Sequence, residues 1–270
     1  MTGICEYLCN LWLKKIMILD KFSLQGKVAI VTGASTGLGE GMLIGLAEAG
    51  ADVVAIDYVD GPYAAKEVVE GMGRKYLEIQ ANLATLEPIA GIIEKTVATF
   101  GKLDILVNNA GIIRREDAIN FSEKDWDDVM DLNVKTVFFF GQAAAKQFIK
   151  QGTGGNIVNI ASMLSFQGGI RVPSYTASKS GVMGITRLMA NEWAKDNINV
   201  NAIAPGYMAT NNTTALRADP ERNKAILERI PAGRWGDPAD LRGPVVFLAS
   251  EASSYMSGYT VAVDGGWLAR

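Results

Sequence analysis

From Lys27 onward the chain alternates two kinds of segment, and this alternation limits the possible folds more than any other feature. Short apolar runs rich in Val and Ile stand at Val28–Val31, Val53–Ile56, Leu103–Val107, Ile157–Ile160, Ile198–Ile203 and Tyr259–Val263, with Lys75–Gln80 as a further strand candidate. Runs that are apolar on consecutive residues suit strands covered on both faces. Between them, Leu38–Ala49, Pro88–Phe100, Lys124–Lys150, Ser174–Lys195 and Pro238–Leu248 carry helical periodicity. Strict alternation of strand and helix predicts an α/β chain, a doubly wound parallel sheet with helices on both faces. No Pro/Gly/Ser linker, charge block or internal repeat divides it, so residues 24–270 read as a single domain. Residues 1–23 read as an N-terminal extension that need be neither native nor ordered. The irregular stretch Gly206–Arg217 follows a strand and is a candidate substrate lid.

What the composition lacks narrows the chemistry. There is no histidine, which excludes Ser-His-Asp and Cys-His hydrolases, His-ligated zinc and any imidazole acid or base. Cys5 and Cys9 are the only cysteines, too few for a zinc finger or a disulfide scaffold, and no metal site is expected. Lys plus Arg is 26 against 29 Asp plus Glu, a net charge of −3, so no nucleic-acid partner is expected. An enzyme of this composition must draw its acid/base group from Tyr, Lys, Asp or Glu. The uncharged run Tyr7–Leu13 is too short to span a bilayer. Lys14 and Lys15 follow it rather than precede it, unlike a secretory signal. The expectation is a soluble, cytoplasmic protein with no membrane partner.

Thr32-Gly33-Ala34-Ser35-Thr36-Gly37-Leu38-Gly39 follows the first apolar run and opens the first helix. Glycines there let main-chain N–H groups approach a pyrophosphate, and the helix N-terminus adds positive potential. The second run ends in Asp57. A carboxylate at that position accepts hydrogen bonds from the adenosine ribose hydroxyls and repels a 2′-phosphate. No Lys or Arg stands within the loop or just after Asp57. Both features favour NAD over NADP.

Tyr175 and Lys179, spaced i, i+4 in a helical stretch, share one face. Ser162 lies just beyond the strand Ile157–Ile160, Asn133 sits within Asp131–Val134, and Asn108-Asn109-Ala110-Gly111 ends the strand Leu103–Val107. In a parallel sheet the C-terminal strand ends form the ligand crevice, so these residues converge there. The combination, with Pro205-Gly206, resembles the short-chain dehydrogenase/reductase family over about residues 24–270. The resemblance implies a single-domain Rossmann fold of about seven strands, often a homotetramer, and an Asn133–Ser162–Tyr175–Lys179 catalytic group. A free tyrosine loses its proton near pH 10. The Lys179 ammonium and an oxidised nicotinamide ring both favour phenolate. Tyr175 would then be general base for alcohol oxidation and general acid for ketone reduction. Lys179 would also hold the nicotinamide ribose, Ser162 would orient the substrate oxygen, and Asn133 would position a relay water. The cofactor contacts so implied are Gly33, Ser35, Thr36, Gly37, Leu38, Gly39, Asp57, Asn82, Leu83, Asn109, Ala110, Gly111, Tyr175, Lys179, Pro205, Gly206, Met208 and Thr210. Asn82 stands where the family commonly has Asp, and an amide there still reaches the adenine.

Within that family, residues 112–119, 162–184, 205–213, 229–235 and 262–270 are similar to dehydrogenases of deoxy sugar acids from pectin and hexuronate breakdown. Such a substrate needs a cation and several hydrogen-bonding groups. Arg171, four residues before Tyr175, is the favoured carboxylate ligand, since a guanidinium binds carboxylate through two parallel hydrogen bonds. Arg114 and Arg115 follow the Asn108–Gly111 turn. Ser162, Gln167, Tyr207 and Asn211 are the expected polyol contacts. Trp267 and Arg270 read either as packing or as closing a neighbouring subunit's site. Alternatives on the same fold are an NADPH-dependent 3-oxoacyl carrier protein reductase, against which Asp57 argues, and a glucose dehydrogenase. A non-catalytic NAD-binding sensor is the alternative of a different class.

Overall fold

The computed structural model describes residues 17–270. The expectations placed on residues 1–16, including Cys5 and Cys9, lie outside this range. Seven strands form one parallel sheet: β1 (Val28–Thr32), β2 (Asp52–Asp57), β3 (Tyr76–Gln80), β4 (Ile105–Asn108), β5 (Gly155–Ile160), β6 (Ile198–Pro205) and β7 (Thr260–Val263). Their spatial order is β3-β2-β1-β4-β5-β6-β7, and every pairing is parallel. The chain winds outward from β1 to β3, then returns to the far side of β1 to begin β4. That reversal opens a crevice at the C-terminal ends of β1 and β4, where ligands bind in open α/β sheets.

The helices are α1 (Gly37–Glu48), α2 (Ala65–Gly71), α3 (Pro88–Phe100), α4 (Glu123–Met130), α5 (Thr136–Gln151), α6 (Pro173–Trp193), α7 (Thr214–Ala218), α8 (Pro220–Arg229) and α9 (Arg242–Ala249). Successive strand side chains point to opposite faces, so each strand feeds two cores. Ala29, Val31, Val53, Ala55, Ile105 and Val107 pack with Met42 and Leu46 of α1 and Val245 and Leu248 of α9. Ile30, Val54, Ile56, Leu106 and Ile157 face the other way, onto Ile89 and Ile93 of α3, Phe140 and Phe148 of α5 and Met189 of α6. Coverage on both faces is why these strands are continuously apolar. β3 lies at the sheet edge with only Ile79 buried, which accounts for its weaker apolar signal.

Two departures from the sequence reading shape the cleft. The stretch read as one helix at Lys124–Lys150 is α4 and α5 joined by a π turn at Asp131–Lys135. The stretch read as irregular contains a 3-10 turn at Asn211–Thr213 and then α7, followed by α8. Asp219 caps α8 by accepting from the N–H groups of Glu221 and Arg222, with Pro220 at the first helical position. Among the described residues, no helix is long and apolar enough to cross a membrane.

Candidate active site

A cleft of about 1410 Å³ runs along the C-terminal strand ends from Asp57 to Trp267. Its first wall is the loop between β1 and α1. Asn109, just past β4, pins this loop. Its Nδ2 donates to the carbonyls of Thr32 (2.9 Å) and Gly33 (3.0 Å), and the N–H groups of Asn109 and Ala110 donate to Thr32 Oγ1. Gly33 has φ +64°, a conformation costly to any other residue, and a Cβ on Gly39 would overlap the Gly33 carbonyl. Thr36 precedes α1 without a side-chain capping bond, so the first-turn N–H groups stay available to an anion. Asp57 Oδ2 accepts from Ser35 N (3.0 Å) and Oγ (2.7 Å), and Oδ1 from Tyr58 N (2.7 Å). This open, glycine-lined helix N-terminus with a fixed carboxylate at the end of β2 fits a nicotinamide dinucleotide. The other expected cofactor positions line the same cleft: Ser35, Thr36, Gly37, Leu38, Asn82, Leu83, Ala110, Gly111, Pro205, Gly206, Met208 and Thr210. Thr210 reaches across to Gly37, its Cγ2 lying 3.6 Å from where a Cβ on Gly37 would stand.

The opposite wall holds Ser162, Tyr175 and Lys179. Ser162 follows β5, and its Oγ accepts from Leu164 N (3.1 Å) at the start of a short 3-10 turn. Tyr175 and Lys179 lie one turn apart on α6, which Pro173 opens at its first turn. Lys179 is buried, its Nζ donates to the Ile160 carbonyl (2.7 Å), and it stands 5.5 Å from the Tyr175 ring centre. Burial raises the Tyr175 pKa above the ordinary tyrosine value, opposed by a hydrogen bond with Ser162 and by the charge of Arg115. The phenol by itself is therefore not poised as phenolate.

Burial also pushes Lys179 down to about 8 from an ordinary 10.5. Between these values the unfolded chain holds a proton that the folded chain has released. The contribution of Lys179 to stability therefore rises as pH climbs through that window, and below it the buried charge is a constant cost. Relative to Lys179→Met, the wild type should gain about 2–3 kcal/mol between pH 7.5 and 10.5. Denaturant unfolding of both proteins across that range checks it. A pH-independent difference would mean that burial does not lower the Lys179 pKa.

Asn133 occupies the π turn and is wholly buried. Its Oδ1 accepts from Ile112 N (2.9 Å), and its Nδ2 donates to the Ile112 carbonyl (2.9 Å) and Ser178 Oγ (3.1 Å). The side chain therefore clamps the loop following Gly111. A π turn shifts bonding from i+4 to i+5, here from Thr136 N to the Asp131 carbonyl.

The expected substrate residues also line the cleft, but with different partners from those expected. Arg171, at φ +63°, pairs with Asp117 (3.0 Å) and Glu116 (3.6 Å). The favoured carboxylate ligand is thus already matched by two carboxylates, and Arg114 likewise pairs with Asp125 and Asp128. Among the described residues, Arg115, Arg222 and Arg229 are the cleft-lining arginines without an ion pair. Arg115 donates to the Asn212 carbonyl (3.2 Å), and Arg229 donates to Gln167 Oε1 (3.3 Å). Tyr207 packs edge-on against Trp235 and Trp267, and Asn211 begins the 3-10 turn beside the cleft. Trp267 is buried with Met163, Ile226 and Ile230, which is packing within this chain. Arg270 donates to the Glu228 carbonyl on α8. Arg229 opens the 229–235 stretch, but its helix is short and polar and nothing local marks it as an anion ligand.

Residues 33–268 match the family model described as Enoyl-(Acyl carrier protein) reductase. A 2-dehydro-3-deoxy-D-gluconate 5-dehydrogenase from Dickeya dadantii is 70% identical over 254 residues, 94% of this chain and 100% of that protein. The Bacillus subtilis protein of the same name is 49% identical over 251 residues, 93% and 98% of the two chains. A solved structure from Agrobacterium tumefaciens, described as a candidate 2-deoxy-D-gluconate 3-dehydrogenase with bound NADP, is 55% identical. It superposes with a TM-score of 0.87 over 93% of this chain and 100% of that one. On these matches and this fold, the chain belongs to the short-chain dehydrogenase/reductase family, whose members oxidise a secondary alcohol or reduce its ketone with a nicotinamide dinucleotide.

Proposed function

We propose that this protein is an NAD-dependent 2-dehydro-3-deoxy-D-gluconate 5-dehydrogenase, the activity also described as 2-deoxy-D-gluconate 3-dehydrogenase. Pectin or hexuronate breakdown in the cytoplasm is its setting. One observation carries the reading: a chain 70% identical along its length to a relative of that name holds Ser162, Tyr175 and Lys179 together in one cleft with the Asp57-tied glycine loop. When bound, the cofactor supplies the hydride acceptor and, oxidised, a positively charged ring. Tyr175 takes the substrate's hydroxyl proton in the oxidising direction and returns it in the reducing one. Ser162 donates to the substrate oxygen and orients it. Lys179, fixed by the Ile160 carbonyl, adds a positive charge beside the phenol. Asn133 holds the loop that follows Gly111 and positions the water that relays the proton to solvent. The unpaired guanidinium groups of Arg115 and Arg229 support an anionic substrate. Exposed Trp126, Phe139, Ile149 and Leu188 on α4, α5 and α6 support self-association, read as a homotetramer.

NAD is preferred because Asp57 lies at the ribose end of the cleft, next to Tyr58 and Val59 rather than to a cation. The carboxylate repels a 2′-phosphate, and a like-charge contact of this kind costs several kcal/mol. Initial rates with NAD and NADP on 2-dehydro-3-deoxy-D-gluconate, D-gluconate and D-glucose test both parts. We expect activity confined to the deoxy keto-acid and kcat/KM for NAD at least about 100-fold above NADP. Asp57→Ser should narrow that ratio by at least about tenfold. Turnover mainly of glucose would overturn the substrate reading, and a preference for NADP would overturn the cofactor reading.

A further inference from the structure

Arg229 closes α8 above the cleft, and its guanidinium lies 3.9 Å from the centre of the Trp267 ring. Stacking of this kind holds the guanidinium plane while leaving its N–H edge free. One N–H group donates to Gln167 Oε1 at 3.3 Å, a neutral and readily exchanged acceptor. Among the described residues no carboxylate pairs with it, whereas Arg114 and Arg171 each have two acidic partners.

The platform beneath Arg229 is rigid. Trp267 is 5% exposed and packs with Met163, the residue after Ser162, and with Ile226 and Ile230. The turn that carries it is tied to Asp264, which accepts from Gly266 N and Leu268 N (2.9 Å each). Arg270 then joins the chain end to α8 through the Glu228 carbonyl (3.2 Å). An unpaired cation is thus held on the same apolar cluster that supports the residue after Ser162.

Arg115 stands differently. Its charge acts on Tyr175, so it belongs to the reacting end of the cleft. In a 2-dehydro-3-deoxy sugar acid the carboxylate is separated from the reacting C5 by a chain of carbons. Its ligand must therefore stand away from the phenol.

We propose that Arg229, stacked on Trp267, is the specificity residue that binds the substrate carboxylate through two parallel hydrogen bonds, displacing Gln167. This assignment rests on the proposed sugar-acid activity for the identity of the substrate, but not for the anion site itself. A carboxylate seated there gains a charge-assisted pair in a partly enclosed cleft.

The test compares wild type, Arg229→Gln and Arg229→Lys, with thermal melts to show that all three fold. For Arg229→Gln, KM for 2-dehydro-3-deoxy-D-gluconate should rise roughly 10- to 100-fold with kcat within about threefold, and KM for NAD should not change. Arg229→Lys should recover only part of the loss, because an ammonium neither stacks nor forks in the same way. The uncharged methyl ester of the substrate should be turned over equally by wild type and Arg229→Gln. Equal losses on acid and ester, or an unchanged KM for the acid, would overturn the proposal. Binding of D-gluconate to the enzyme–NADH complex, read by nicotinamide fluorescence, separates this proposal from the substrate reading. If the wild type binds gluconate but turns over no deoxy keto-acid, and Arg229→Gln abolishes the binding, only the substrate reading fails. Gluconate binding that is unchanged in Arg229→Gln removes the anion site.

Discussion

Tyr175→Phe should lower kcat by roughly 10²- to 10⁴-fold, the usual worth of a positioned proton donor or acceptor. NAD affinity and melting temperature should stay close to wild type. The phenol is the titratable group that neighbours both Ser162 and Lys179 on the same wall of the cleft. The chain has no histidine to substitute for it. Removing the hydroxyl leaves the ring in place, so the packing of α6 is preserved and the loss falls on chemistry rather than folding. Burial alone drives this tyrosine toward its neutral form, opposed by Ser162 and by the charge of Arg115. Arg115→Gln should therefore shift the pH dependence of kcat upward, because one of the two opposing influences is gone. Stopped-flow formation of NADH, together with NAD titration by fluorescence quenching, separates the chemical step from binding. A rate for Tyr175→Phe within tenfold of wild type would remove Tyr175 from the mechanism while leaving the fold and family untouched.

Gly39→Ala should be the most damaging small substitution in the cofactor loop. The added Cβ would overlap the Gly33 carbonyl and come within 2.6 Å of Asn109 Nδ2. Neither neighbour can yield cheaply. The carbonyl is main chain at the start of the β1–α1 loop, and the amide is already committed to Thr32 and Gly33. Relief requires α1 to move away from β1, which misaligns its first-turn N–H groups. Overpacking of this kind costs about 1–3 kcal/mol, a fall in melting temperature of about 2–12 °C for a domain of this size. KM for NAD should rise more than tenfold, since the helix terminus and Ser35–Asp57 shift together. Gly91→Ala is the matched control. No heavy atom lies within 4 Å of its added Cβ in α3, and it should be neutral or stabilising by about 0.5–1 kcal/mol. Comparable losses in both variants would show that helix propensity, not the close approach to Gly33, governs the position.

The sequence by itself determined the features that repeat at short range. Continuous apolar runs imply strands covered on both faces, and the two cores on either side of the sheet are the reason for them. A glycine loop between strand and helix, a carboxylate closing β2, and a Tyr-Lys pair one turn apart are likewise spacings within a single element. What lies between elements was decided only by the tertiary structure. The sequence favoured Arg171 for the substrate carboxylate, being close to Tyr175 in the chain. Its partners, Glu116 and Asp117, come from a different segment, and no local pattern predicts that neutralisation. The π turn at Asp131–Lys135 has ordinary helical composition and shows itself only through Asn133's bonds to Ile112 and Ser178. Helix α8 is short and polar on most of its surface, so its apolar period is faint, yet it carries Arg229 onto Trp267 from the far end of the chain. Periodicity records which face of an element is buried. The pairing of charges and the stacking of a cation on a ring depend on contacts between segments distant in sequence, and these exist only once the chain has folded.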